Sequence, residues 1–266
     1  MSSLLPLPKS VHANLRMTKS VSHPPRALPQ SQIPILNNYY RSLFDAHGPQ
    51  HWWPGRTRFE VIVGAILTQN TSWSNVEAAI RNLRAARLVS PAAIEAVPVT
   101  KLARLIRPSG YFRQKAKKLK SFTAFLFSRY SGSLAHMFRT PTQILRERLL
   151  SVHGIGPETA DSILLYAGDH PVFVIDAYTR RILERHNLAT SKHSYEELRA
   201  LFESSLPRDP QLFNEFHALI VHTGKHFCRK SVPRCSECSL SSFLPASFMS
   251  RGVSSDVGHR PLDPTQ

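Results

Sequence analysis

The stretch LLSVHGIGPETADSILLYAGDHPVFVIDAYTRR, Leu149 to Arg181, decides the fold. Leu145, Leu149, Leu150 and Val152 share the apolar face of a helix that opens at Thr140-Pro141, with Gln143 spaced to complete a capping box, and stops at His153-Gly154. Gly154-Ile155-Gly156 then supplies two residues free to take positive φ. Pro157 starts a second helix whose Ala160, Ile163, Leu164 and Ala167 pack back on the first. Around Gly154, Gly156, Glu158 and Thr159 the amides of the second helix's opening turn have no partner of their own, and the positive end of the helix dipole suits them to a phosphate oxygen. A purely structural αα-corner has the same spelling, so the turn alone does not choose between the two.

Downstream, the apolar run Val172-Phe173-Val174-Ile175 delivers Asp176, eighteen residues after Glu158. Asp176 opens DAYTRRILERH, where Asp serves as a helix N-cap or as a placed carboxylate. Amphipathic periodicity predicts helices over 58–70, 74–87, 111–130, 142–153, 157–168, 176–187, 194–205 and 209–227, with few strand signals. The chain therefore reads as all-α. Residues 1–32 and 245–266 are rich in Ser, Pro and charge without periodicity and read as disordered tails around a domain over 33–244.

Thirty-four Lys and Arg against eighteen Asp and Glu give a formal charge of +16, which fits a polyanionic partner. Arg113, Lys115, Lys117, Lys118 and Lys120 crowd one predicted helix, and Arg180, Arg181 and Arg185 follow Asp176; both groups are placed to neutralise phosphates. No run approaches the roughly twenty apolar residues that cross a bilayer, so no membrane association and a cytoplasmic location are expected.

The hairpin, the apolar run and Asp176, together with FEVIVGAILTQNTSWSNVEAAI and LIRPSGYFRQKAKKL, resemble the helix-hairpin-helix DNA glycosylase superfamily typified by endonuclease III. The resemblance covers about Pro34 to Leu244. WWP, AILTQNTSW and GIGPETADSILLYA are most similar to its bacterial 3-methyladenine glycosylase branch. It implies a two-lobed helical fold, with a six-helix central lobe over 57–170 and a second lobe formed by both chain ends, 34–56 plus 171–244. DNA would cross the cleft between them.

By the same resemblance Asp176 is the catalytic carboxylate, and Glu158 fills the position at which endonuclease III carries its Schiff-base lysine. Glutamate forms no imine, which implies a monofunctional glycosylase. Gln69 matches the residue that enters the gap left by a flipped nucleotide, and Tyr111 matches the wedge on the opposite strand. Trp52, Trp53 and Phe59 are candidates to stack on a flipped alkylated base or, equally, to be core aromatics. Glu158 is either a favourable acid in the first turn of its helix or a residue of the same pocket, Lys225 is placed at that pocket, and Arg113 and Lys115 are placed on the DNA backbone.

Cys228, Cys235 and Cys238 are separated by six and then two residues, as in the endonuclease III iron-sulfur loop, but the fourth position is Leu244. An incomplete 4Fe-4S site, an empty loop and a zinc site completed by His226 all remain open. The expected partner is duplex DNA carrying a damaged base, bound by a monomer. A lyase active on oxidised pyrimidines and a non-catalytic damaged-DNA-binding protein are the alternatives.

Overall fold

A computed structural model describes residues 33–246, so the predicted tails, but for residues 245 and 246, lie outside it. Among the described residues all regular structure is helical. α1 (Ile33–His47) precedes α2 (Arg58–Leu67), on which the central lobe is built. Thr57 caps α2 by accepting the Glu60 amide at 3.1 Å, and Phe59 through Leu67 are all buried. A helix that is apolar on every side has to run through the interior. Its one carboxylate, Glu60, is satisfied by Arg84 and by the Arg56 amide.

Around α2 lie α3 (Trp73–Ala85), α4 (Pro91–Ala96), α5 (Val99–Leu105), α6 (Phe112–Tyr130), α7 (Leu134–Met137), α8 (Thr142–Leu150) and α9 (Pro157–Ser162). α9 runs on into a wider π turn, Ile163–Ala167, which places Tyr166 on a locally unwound stretch. α8 lacks the predicted capping box. Pro141 occupies the N-cap and has no side-chain acceptor, Thr140 bonds the Tyr130 hydroxyl, and Gln143 bonds Glu147 one turn on.

The second lobe joins both ends of the described chain: α1 packs on α11 (Tyr195–Ser205) and α12 (Pro210–His226), and α10 (Ala177–Arg185) packs on α12. α11 carries a complete capping box between Ser194 and Glu197, and α12 opens with Asp209 as cap and Pro210 in the first turn. Between the lobes, Val172–Ile175 lies outside any helix and is buried. Phe173 stacks on Phe202 with ring centroids 3.9 Å apart. With no neighbouring strand to take its amides, side chains do so: Phe173 donates to Glu203 at 3.1 Å and Ile175 to the Tyr195 hydroxyl at 3.3 Å.

A charged network with a buried centre reaches across the same junction. Arg146 of α8 holds Asp161 of α9 through two bonds of 2.6 and 3.1 Å and reaches Glu196 of α11 at 2.6 Å. The two glycines of the hairpin differ: Gly154 takes φ +85°, whereas Gly156 is extended at φ −93°, so the bend uses one left-handed residue where the sequence offered two.

Candidate active site

Asp176 is the N-cap of α10. Its Oδ1 accepts the Thr179 amide at 2.7 Å and the Thr179 hydroxyl at 2.9 Å. The cap and the placed carboxylate are thus compatible readings, because capping consumes one oxygen and leaves Oδ2 for the cleft. Oδ2 lies 3.7 Å from Nε2 of the buried His217, and the other ring nitrogen, Nδ1, is 2.6 Å from the Tyr166 hydroxyl.

Glu158, in the first turn of α9, is exposed at the surface, with enough protein packed around its carboxyl to desolvate it in part. That crowding, with the Asp176 charge added, raises its carboxyl to about 7. The amides of Gly156, Glu158 and Thr159 have no intramolecular acceptor among the described residues, as a phosphate-facing turn requires. The Thr159 side chain does not face outward. It is buried, and its hydroxyl accepts a bond of 2.9 Å from Gln69, which also donates to the Gly154 carbonyl at 3.1 Å. Lys118 completes this knot by donating to Gln69.

Tyr111 follows Gly110 in a left-handed turn (φ +44° and +66°) and is 66% exposed, an unusual position for a large aromatic with no packing role. Arg113 and Lys117 are exposed on the adjoining helix. Lys115 is not. It is 2% exposed, and its ammonium donates to the Leu67 and Ser109 carbonyls at 2.9 and 2.6 Å, so it ties α6 to the end of α2 and is closed to phosphates. Burial, with Lys118 adding to it, brings its pKa down to about 8. Arg180, Arg181 and Arg185 are likewise occupied by backbone carbonyls: His193 for the first, Gly224 and Cys228 for the second, Arg229 and Lys230 for the third.

Trp52 and Trp53 lie partly exposed beside Trp73, with Trp53 5.1 Å from Trp73 and 5.0 Å from Tyr166. Lys225 is exposed, with its ammonium 5.5 Å over the Trp52 ring. Phe59 is 4% exposed in the core of α2 and forms no pocket wall. Trp73, Tyr166 and His217 escaped the sequence reading. Trp73 was signalled only by its place in the LTQNTSW run, while Tyr166 and His217 sit at spacings that read as core.

Cys228, Cys235, Cys238 and Leu244 line one small cavity with Arg185 and His186, so the chain does bring the four positions together. The donor set does not fit an all-cysteine cubane, because one corner is a leucine and the chain has no other cysteine. Among the described residues no three His, Cys, Asp or Glu side chains are arranged to hold a metal ion. His226 packs at a tilt against His222 and does not line this cavity. Nor is any helix among the described residues long and apolar enough to cross a membrane.

The HhH-GPD model, which describes a superfamily of base excision DNA repair proteins, matches residues 63–208, more than half of the chain. A putative DNA repair glycosylase of Methanocaldococcus jannaschii is 47% identical over 216 residues, covering 80% of this chain and 97% of that protein. Endonuclease III homolog 1 of Arabidopsis thaliana is 30% identical, with 73% of this chain and 51% of that protein aligned. Among solved structures, the H. pylori 3-methyladenine DNA glycosylase bound to 1,N6-ethenoadenine aligns with a TM-score of 0.63 at 31% identity over 73% of this chain and 97% of that one. A trapped endonuclease III–DNA covalent intermediate aligns with a TM-score of 0.69 over 85% and 99%, and at 22% identity it speaks for the fold alone. The matched span takes in both the glycine hairpin and Asp176, so fold, sequence and site lead to one conclusion: the chain belongs to the HhH-GPD superfamily of base excision DNA repair proteins.

Proposed function

We propose that this glycosylase is monofunctional and releases alkylated purines from duplex DNA, one chain per lesion. The observation that carries the reading is the pair of carboxyl groups at the start of α9 and α10. Breaking an N-glycosidic bond builds positive charge on the deoxyribose, and Asp176, with Oδ2 left over from capping, stabilises that charge and orients the attacking water. Glu158 stands where the resemblance to endonuclease III expects a lysine nucleophile, and a carboxyl cannot form a Schiff base.

The aromatic wall of Trp52, Trp53 and Trp73 suits a flipped purine. The H. pylori relative is named for 3-methyladenine and holds an etheno-adduct of adenine, which supports the same substrate class here. The free amides of the α9 hairpin and the exposed Arg113 and Lys117 hold the backbone, Tyr111 takes one side of the vacated base pair, and Gln69 takes the other by exchanging its bonds to Gly154, Thr159 and Lys118 for bonds to DNA.

Release of free base from duplexes carrying 3-methyladenine or 1,N6-ethenoadenine, with strand breaks scored before and after alkali, tests this reading. We expect breaks only after alkali, and loss of release in Asp176→Asn. Breaks without alkali, together with a complex trapped by borohydride, would instead make the protein a lyase.

A further inference from the structure

His217 is buried to 4% in the middle of α12, where an apolar side chain would pack as well. Its two ring nitrogens are unequally served. Nδ1 faces the Tyr166 hydroxyl at 2.6 Å, whereas Nε2 is buried with no hydrogen-bond partner and has Asp176 Oδ2 at 3.7 Å. A buried polar atom left unpaired costs stability, so an unpaired one aimed at a carboxylate invites a functional reason.

The proton can be placed from chemistry. Burial favours the neutral ring, and Tyr166, whose phenol is held far above its ordinary pKa by burial, always has a proton to give. With Tyr166 donating to Nδ1, the ring's own hydrogen sits on Nε2 and points at Asp176. The opposite tautomer would set a lone pair against a carboxylate. Tyr166 is in turn backed by Trp53 at 5.0 Å, on the wall assigned to the flipped base. At 3.7 Å the Nε2–Oδ2 contact is longer than a hydrogen bond, and such contacts commonly tighten once substrate fills the site.

We infer that Tyr166 and His217 form a positioning relay that fixes the tautomer of His217 and thereby aims the free oxygen of Asp176 at the glycosidic carbon. The inference rests on the glycosylase reading given above. His217 touches no substrate in this arrangement and acts only through Asp176. Nothing in the sequence marked either residue, since both stand at positions whose spacing reads as core.

The test uses the full chain and a duplex carrying 1,N6-ethenoadenine or 3-methyladenine, whichever the wild type processes. It measures the single-turnover rate of base release alongside affinity for a duplex with a tetrahydrofuran abasic analogue. Tyr166→Phe, which removes one oxygen, and His217→Phe are expected to slow release about ten- to a hundredfold, the worth of a hydrogen bond to a charged group, with affinity nearly unchanged and the melting temperature lowered by the buried partner each leaves unpaired. His217→Gln, whose amide nitrogen reproduces the Nε2 donor, is expected to recover most of the rate. In an Asp176→Asn background Tyr166→Phe should slow the residual reaction no further, because the relay has lost its target.

Wild-type rates in Tyr166→Phe, a glutamine variant as slow as the phenylalanine one at equal stability, or full additivity with Asp176→Asn would each overturn the inference while leaving the glycosylase reading intact. Absence of base release by the wild type would overturn that reading and carry the inference with it. If His217→Phe does not fold, Tyr166→Phe and His217→Gln still decide the question.

Discussion

Glu158 is the residue whose chemistry differs most from the lysine that the endonuclease III resemblance leads one to expect, and its environment makes it titrate near neutrality. A carboxyl that ionises at about 7 in the folded protein and at about 4.3 in the unfolded chain binds its proton more tightly when folded. Stability from this group is therefore fully present below about pH 4 and is lost as the pH rises through about 7. Glu158→Gln removes that dependence, so thermal melts at pH 5, 7 and 8 should show the variant gaining on the wild type as pH rises; a constant difference would contradict the assigned environment. Asp176 was legible in the sequence because a single acid after four apolar residues stands out, and Glu158 because it follows a Gly-x-Gly-Pro turn. Tyr166 and His217 were not, because periodicity reports that a side chain is buried and is silent on what its polar atoms meet. Lys115 misled for the same reason. One turn of a basic helix faces inward, and only packing reveals that two carbonyls wait for it.

The hairpin between α8 and α9 is the element read most fully from sequence, and its two glycines make separable predictions. At Gly154 the left-handed φ and the adjacent Lys118 side chain leave no room for a methyl group, so Gly154→Ala should cost about 1–3 kcal/mol in chemical denaturation. Gly156 is extended and has open space around it, so Gly156→Ala should melt as the wild type does while weakening DNA binding, because the added methyl group stands beside the amides offered to phosphate. Equal losses of stability in the two variants would refute this division. The long helices announced themselves through their apolar faces. α4, α5 and α7, with six, seven and four residues, did not, since fewer than two turns show no period. The capping box at Thr140 failed because spacing does not show that the following proline has taken the cap, whereas Ser194 and Glu197, which were not singled out, form a complete one.

Across the whole molecule, a formal charge of +16 predicts duplex affinity that falls steeply as salt rises. The side chains separate further than the charge does. Arg113→Ala and Lys117→Ala should each lower the slope of log affinity against log salt by about one, whereas Lys115→Met should leave the slope alone and lower the melting temperature; a slope change in Lys115→Met would return that lysine to the DNA face. The Arg146 bridge has a mechanical consequence. By locking α9 to α8 and reaching α11, beside the Tyr195 hydroxyl that holds the Ile175 amide, it makes a strut from the phosphate-facing turn to the residue before Asp176. The offset between gripped backbone and attacked sugar is then a fixed gauge length. A duplex that fits this gauge must deform to meet it, and the ease with which a weakened base pair yields becomes part of how a lesion is told from normal DNA.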